Sequence, residues 1–450
     1  MKLTNITNSI LTNSAQIQEI TDKIASGTNI LKGSEAPSDY NQILNLNDKI
    51  EKLTRIDKDI NYAVNYQTVS ENSIYSIQDD LEQVFNDLQL LGNLTFSEND
   101  KDIILDRMYN IKESLLQTAN SKHDDQFVFS GTLSYKEAFS DDFTYNGNDI
   151  RKSAYVSSNG IDKEYSITGQ ELFIDSELFS TLDNIISLIE NPTAVVSSEL
   201  KELNSSYSNK NLEVIENNFN NEIIASDPNY PIIEQDIENY KIALDNFISD
   251  PSEANKEILE TRNNTLINDP FSFGNLLSED TKELIQRNTD MALFQNDLDN
   301  WQNETVDFDL KEEYHQIVLD NYDKLLYKDV LDPVSGEVIG SEPYDDIVSK
   351  GSEDMYDLAS NPYSYKINDV EEVRENVQYL QSRLGNEMNY LLDTKGLNES
   401  NKISLTLFLS ETKDLDIAVA ATELQKRTTS LEALYQILSN IQKLSLTNYL

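Results

Sequence analysis

His123 and His315 are the only imidazoles in this chain, and it contains no cysteine. Disulfides, zinc–thiolate sites and thiol nucleophiles are therefore impossible. Two histidines so far apart in sequence also argue against a histidine-rich metal site. A metalloprotease helix needs His-Glu-x-x-His, and no such run occurs. Ser130-Gly131 lacks the Gly-x-Ser-x-Gly frame of a nucleophile elbow. There is no glycine-rich phosphate loop with lysine and no dinucleotide fingerprint. Adjacent carboxylates such as Asp141-Asp142 and Glu312-Glu313 could in principle share acid–base work. Among 80 acidic residues, however, such pairs carry almost no information. Asp142, Thr144, Asn146 and Gly147 fall at the first, third, fifth and sixth positions of a calcium loop. The twelfth is Ser153 rather than glutamate, which breaks the EF-hand pattern and leaves Asx-rich turns as the expectation. No catalytic residue, cofactor site or metal site is expected, and the chain does not read as an enzyme.

The charge balance narrows the partners. The net charge is −45 over 450 residues. Binding a phosphate backbone or anionic lipid normally needs clustered lysine and arginine, so nucleic-acid and membrane-surface roles rank very low. The start, MKLTNITNSILTNSAQ, has no apolar core of a cleaved secretory signal, and no apolar run approaches the length of a membrane-spanning helix. Apolar content is 38%, low for a globular chain and compatible with a long rod that has a thin core.

The elements that dominate are long helices. Leu3, Ile6, Ile10, Ile17, Ile20 and Ile24 step by threes and fours, with Asn13 in one slot, up to a break at Ser26-Gly27. After Pro37 a second helix is expected from Ser38 or Asp39. Its seam runs through Ile43, Leu46, Ile50, Leu53, Ile60 and Val64, then Ile74, Ile77, Leu81, Val84, Leu88 and Leu91, with Asp57, Gln67 and Glu71 in polar slots. An unbroken phase from Ile43 to Leu91 implies a helix roughly 75 Å long. Ser97 and Asp100 suggest a capping box for a third helix, with seam Ile104, Met108, Ile111 and Leu115. Residues 126–132 alternate like a strand, and Asn159-Gly160 signals a hairpin between 153–158 and 161–168. Looser helices are expected at 182–190, 232–248, 253–266, 279–301 and 310–326, with a turn, or a hairpin, at 332–337. Trp301 is expected as a packing anchor. Near the end, Val370, Val373, Val377, Leu380, Leu384, Met388 and Leu391 form another seam, and Gly396 is a point of kinking or interruption. Ile417, Ala421, Leu424, Leu431, Tyr435, Leu438, Ile441 and Leu444 form the last, with Thr428 in one slot.

Neither terminal seam can bury itself alone, so pairing the first helices with the last is the simplest solution. The fold expected is mainly α with a β insertion. An elongated helical rod or coiled-coil bundle forms from the N- and C-terminal segments and carries a small β region and a mostly helical outer insert. The expected divisions are an N-terminal assembly helix and loop (1–36), the N-terminal half of the rod (37–125), a β-rich region (126–180), the outer insert (181–367), the C-terminal half of the rod (368–412) and a C-terminal assembly helix (413–450).

Several short segments carry a resemblance. Ile24-Ala25-Ser26-Gly27-Thr28-Asn29-Ile30-Leu31, followed by Pro37-Ser38-Asp39, resembles the N-terminal signature of the flagellin superfamily. Phe127-Val128-Phe129-Ser130-Gly131-Thr132 resembles the Phe-Ser-Gly-Thr segment of its hook-associated protein 3 family, and Thr144-Tyr145-Asn146-Gly147-Asn148 is similar to that family's Tyr-x-Gly-Asp/Asn turn. Asp414-Leu415-Asp416-Ile417-Ala418 resembles its Asp-x-Asp-x-Ala start of the last helix. Leu444-Ser445-Leu446-Thr447-Asn448-Tyr449-Leu450 is similar to its Ser-Leu-x-x-Tyr-Leu ending. The likeness spans about residues 1–175 and 370–450. It departs at Tyr40-Asn41, where the family continues Asp-Asp-Pro, and has no counterpart over about 195–365.

The resemblance implies a structural subunit of the bacterial flagellum, at the junction of hook and filament. Such a subunit is exported unfolded through the flagellar type III apparatus, without a cleaved signal peptide, and is extracellular. The implied partners are further copies of itself in a ring, an adjacent hook-associated protein, flagellin, and an export chaperone on about residues 416–450. The terminal seams named above, Leu3 to Ile24 and Ile417 to Leu444, then become the assembly interface. A flagellin filament subunit, or a flagellin-like protein with an adhesive or catalytic insert, are the other readings.

Overall fold

The computed structural model describes residues 2–93, 98–157, 160–223, 228–268, 277–304, 308–331, 338–344 and 346–447. In chain order, α1 (Lys2–Ser26), α2 (Pro37–Gly92) and α3 (Glu98–Ala119) come first. Two small antiparallel pairs follow: β1 (Lys122–His123) with β2 (Gln126–Phe127), and β3 (Ser153–Tyr155) with β4 (Asp162–Glu164). A π-helical turn at Gln170–Ile174 leads into α4 (Leu178–Glu190). Next come α5 (Pro192–Glu222), α6 (Tyr230–Ser249), α7 (Glu253–Asn268), α8 (Glu279–Leu293), α9 (Gln295–Asn303) and α10 (Phe308–Leu326). A hairpin of β5 (Tyr327–Leu331) and β6 (Val338–Pro343) precedes α11 (Ile347–Ser360). The last helices are α12 (Pro362–Lys413) and α13 (Ile417–Thr447). The fold is mainly α with a small β content.

The rod is the antiparallel contact of α2 with α12. Pro37 occupies the first turn of α2, where its fixed φ suits a helix start. Ile43, Leu46, Leu53, Ile60, Ile74, Ile77, Leu81, Val84, Leu88 and Leu91 are buried along α2. Val370, Val373, Val377, Leu380, Leu384 and Leu391 face them from α12, and Glu387 is buried where Met388 was the expected contact. At 56 residues α2 is about 84 Å long. Gly396 does not break α12, which continues through it to Lys413. Packing along α2 holds the helix together where propensity alone would weaken it.

The aliphatic seam of α3 and the strongly apolar α4 thicken the middle of the rod, and the β segment closes over them in the same core. Here the structure departs from the expected strand at 126–132, because β2 stops at Phe127. Val128, Phe129, Ser130 and Gly131 are all buried, which an alternating strand would not allow. Gly131 has φ +62, and a Cβ there would lie 2.2 Å from the Asn148 carbonyl oxygen. The Asn148 side chain accepts from Thr132 N (3.0 Å) and donates to Thr132 Oγ1 (2.8 Å). The Tyr145 hydroxyl reaches the carbonyls of Phe129 and Asn148 at 3.0 and 2.8 Å. The Phe-Ser-Gly-Thr and Tyr-Asn-Gly-Asn segments are thus two halves of one interlocked turn. The hairpin expected between 153–158 and 161–168 forms, but its paired strands are only Ser153–Tyr155 and Asp162–Glu164, and residues 165–168 leave the sheet to enter the core. Ser97, Asn159 and residues 332–337, which carry expected caps and turns, lie outside the described residues.

The insert has its own core. The helix expected over 279–301 is divided at Phe294, so that Leu298 and Trp301 turn inward. Trp301 stacks on His315 with ring centroids 4.8 Å apart. The helices α5 and α11 have no counterpart among the expected elements. On α5 the buried positions include Ser197, Asn204, Ser208 and Asn211, which break the apolar stripe that would reveal it. Asn211, Asn288, Tyr240, Thr289 and Asn263 instead form a buried hydrogen-bonded chain through this core.

Three glycines give a graded test by urea unfolding. Gly131→Ala meets both a positive φ and the Asn148 backbone, and should cost about 3 kcal/mol or more. Gly160→Ala has φ +82 but open space, and should cost about 1 kcal/mol. Gly396→Ala, in open space inside a helix, should stabilise by about 0.5–1 kcal/mol. Equal midpoints for the first two would contradict the tight packing assigned to Gly131.

Candidate assembly interface

Beyond the α2–α12 rod, α1 lies against α13. Ile10 is buried, and Ile6, Asn13, Ile17, Ile20 and Ile24 are half-buried on the same face. On α13 the facing residues are Ala420, Leu424, Arg427, Leu431, Leu434, Leu438 and Ile441. The structure therefore brings the predicted Ile6, Ile10, Ile17, Ile20, Ile24, Leu424, Leu431, Leu438 and Ile441 together. It leaves Ile417, Ala421 and Tyr435 exposed. The side chains of Leu3 and Leu444 lie outside the described residues.

The reason is an ambiguity in the spacing. A three–four repeat through Leu424, Leu431 and Leu438 can be completed by Ala421, Thr428 and Tyr435, or by Ala420, Arg427 and Leu434. The second set faces α1. Arg427 crosses the seam to donate to Gln16 Oε1 and is steadied by Glu423 at 2.8 Å. Its aliphatic stem covers apolar surface while its head finds polar partners. The Glu423–Arg427 spacing of four was the available signal for this register.

The loops joining the two helix pairs hold each other. Asn29 N donates to Lys413 O at 2.7 Å, and Leu415 N donates to Gly27 O at 3.0 Å, with Thr28 opposite Asp414. Gly27, at φ +71, ends α1 in the left-handed conformation that glycine adopts without cost. The Asp416 carboxylate accepts from the N–H groups of Ala418 and Val419, both at 3.0 Å, and so caps α13. The Ser-Gly segment and the Asp-x-Asp segment are thus one structure, a backbone clasp at the end of the rod.

Large apolar side chains stand exposed on the helices that meet at this clasp. On the last third of α12, Leu397 is 68% exposed, Ile403 63%, Leu407 62% and Phe408 56%. Ile417, Val419, Tyr435 and Ile437 on α13, Leu44 on α2 and Leu11 on α1 are exposed as well. Their exposure follows from the architecture. Away from α3 and α4 the rod is only two helices thick, and each covers one face of the other. Within that stretch the buried Asp57 pairs with Lys402 at 3.1 Å.

A charged node fastens the β region to α12. Arg151 pairs with Glu171, with Glu164 at 3.4 Å and with Glu387 at 3.6 Å, while Arg383 reaches Glu171 at 3.1 Å. Burial alone would raise the Glu171 carboxyl, but hydrogen bonds from Arg151 and the Thr168 backbone hold it below its usual range. For Glu387 burial prevails over both arginines, and its carboxyl is raised.

No family model matches the chain and no curated protein sequence shows significant similarity to it. Among solved structures it is similar to a candidate flagellar hook-associated protein from Vibrio parahaemolyticus. The two share 14% identity over 65% of this chain and 98% of that one, with a TM-score of 0.33. So loose an overlap does not establish a shared function, which has to be read from the chain's own residues. Among the described residues no cluster of acidic or histidine side chains could hold a metal ion, and no helix is long and apolar enough to cross a membrane.

Two outcomes follow from this geometry. Leu415→Pro removes the donor to Gly27 O and should open the clasp. Limited proteolysis should then cut near residues 27–36 and 414–416 several-fold faster, while thermal unfolding of the rod stays within a few degrees. Glu387→Gln tests the buried carboxylate. A carboxyl raised in the folded state destabilises the fold when ionised, and stability recovers as pH falls through the folded pKa. The substitution should therefore raise the melting temperature at pH 7 and leave it unchanged at about pH 3, where glutamate is protonated in both states.

Proposed function

We propose that this chain is a structural subunit of the bacterial flagellum, of the hook-associated protein 3 class, that joins hook to filament. The observation that carries the reading is the apolar surface around the clasp. Leu397, Ile403, Leu407, Phe408, Ile417 and Val419 are six large exposed apolar residues within a short stretch of chain, beside a helix pair built from both ends of the sequence. Large apolar side chains left exposed together on a surface mark sites of contact with other proteins. Packing against further copies of the chain would cover it, with the insert left outside. The junction class, rather than a filament subunit, is favoured by the interlocked Phe-Ser-Gly-Thr and Tyr-Asn-Gly-Asn turn and by the Ser-Leu-x-x-Tyr-Leu ending.

In this reading the subunit travels unfolded through the type III apparatus and folds outside the cell. An export chaperone covers about residues 416–450 beforehand, and an adjacent hook-associated protein and flagellin flank the assembled ring. No catalytic step is assigned to it.

Immunogold microscopy of native flagella, with antibodies against residues 195–365, tests the reading. A single narrow band where hook meets filament is expected. Gold along the filament would make the chain a filament subunit, and no gold on flagella would overturn the flagellar assignment. Leu424→Asp or Leu431→Asp places a charge in the α1–α13 seam, which is costly to bury. Either variant should abolish assembly while the far-ultraviolet circular dichroism of the rod changes little. Normal filaments from such a variant would rule out the seam as an assembly element.

A further inference from the structure

Lys152 is a half-buried amine that pairs with no carboxylate among the described residues. Its neighbour Arg151 gathers Glu164, Glu171 and Glu387. Lys152 turns the other way, into a half-buried site between α2 and the β segment. Its Nζ donates to Gln126 Oε1 at 2.8 Å and lies 4.6 Å from the centre of the Tyr66 ring. Among the described residues no acidic oxygen lies within ion-pair distance of it.

The groups packed around it are mostly aromatic, with Asp124 beside His123 at 3.6 Å and Asp59 acting on Tyr165 as the neighbouring carboxylates. From α2, the Tyr62 hydroxyl donates to the same Gln126 oxygen at 3.2 Å, and the Tyr66 hydroxyl donates to Val128 O at 2.6 Å. From β1, the His123 ring lies 5.2 Å from Tyr62 and 6.0 Å from Tyr66. Just after β4, Tyr165 meets Tyr66 edge-on at 5.4 Å. Burial raises the phenols of Tyr66 and Tyr165 far above their ordinary value, so neither supplies a counter-charge. The backbone of Lys152 is pinned on both sides: its N–H donates to Ser166 Oγ at 2.7 Å, and its carbonyl accepts from Tyr165 N at 2.9 Å.

We infer that Lys152 is a nucleophilic amine and the preferred acylation site of this chain, taking an acyl group from a small activated donor such as a thioester or acyl phosphate. The amine lone pair attacks the carbonyl carbon and a C–N bond forms. The C–S or C–O bond to the leaving group breaks, and its electron pair departs with the thiolate or phosphate. The amine proton passes to solvent. The product is a neutral amide whose remaining N–H can still donate to Gln126 Oε1. Burial also pushes the free amine down to about 8, which supplies the reactive form near neutral pH.

Trace labelling of the folded, full-length chain with a limiting amount of acetic anhydride between pH 6 and pH 11 tests this, with each lysine quantified by peptide mass spectrometry. Lys426, 79% exposed, is the internal reference. At pH 7.5 Lys152 should acquire label about tenfold faster than Lys426, with its half-maximal reactivity near pH 8 rather than above pH 10. Chain acetylated at Lys152 alone should keep or raise its melting temperature at pH 7. A Lys152 profile that coincides with that of Lys426 would overturn the inference. So would a Lys152 that stays unlabelled until the chain is unfolded in urea.

Discussion

The antiparallel contact between α2 and α12 is the constraint on which the rest depends. Each helix is more than fifty residues long and carries an aliphatic seam that would face water if the helix stood alone. Burying each aliphatic side chain of the shared seam contributes about 1.5–3 kcal/mol, set against about 1–2 kcal/mol of backbone entropy per ordered residue. A two-helix rod is therefore close to balance. Where α3, α4 and the β segment join it, the core widens and the aromatic residues Phe129, Phe139, Phe173 and Phe179 fill it. Where they do not, the seam is narrow and apolar side chains remain outside.

This thickness explains the polar residues inside. Asp57 at the thin end is matched by Lys402, and Gln78 by Gln381 at 2.9 Å. Such pairs add little net stability, but a slipped register would leave one partner buried alone, which is costly. A long uniform aliphatic seam could slide by a heptad; these pairs oppose that.

How much was legible in the sequence depended on what filled the buried positions. In α1, α2, α3 and α12 aliphatic residues repeat in phase, and the elements stand close to where the pattern put them. In α5 Ser197, Asn204, Ser208 and Asn211 interrupt the buried face that Val196, Leu200, Leu212 and Phe219 share, so a helix of 31 residues left only a broken apolar stripe to read. In α13 the stripe was visible but fitted two registers, and only Arg427 reaching Gln16 decides between them. The segment after Phe127 alternated like a strand, yet its conformation is set by Asn148, a partner about twenty residues away that periodicity cannot see. The clasp was legible as two separate signatures, Ser26-Gly27 and Asp414-Leu415-Asp416. That they touch is a property of the antiparallel rod.

The chain leaves the rod at Asn191-Pro192 and re-enters it at Asn361-Pro362, and both junctions border one small cavity of about 250 Å³. Asn361 also donates to Gly92 O at 3.0 Å, tying the point of return to the end of α2. Everything between hangs from two neighbouring points. A polymer chain whose ends are held this close can grow, shrink or be exchanged for another domain at little entropic cost to its host. The outer body of this protein can thus diverge quickly, as a handle would, while the shaft that carries it stays under strict geometric control.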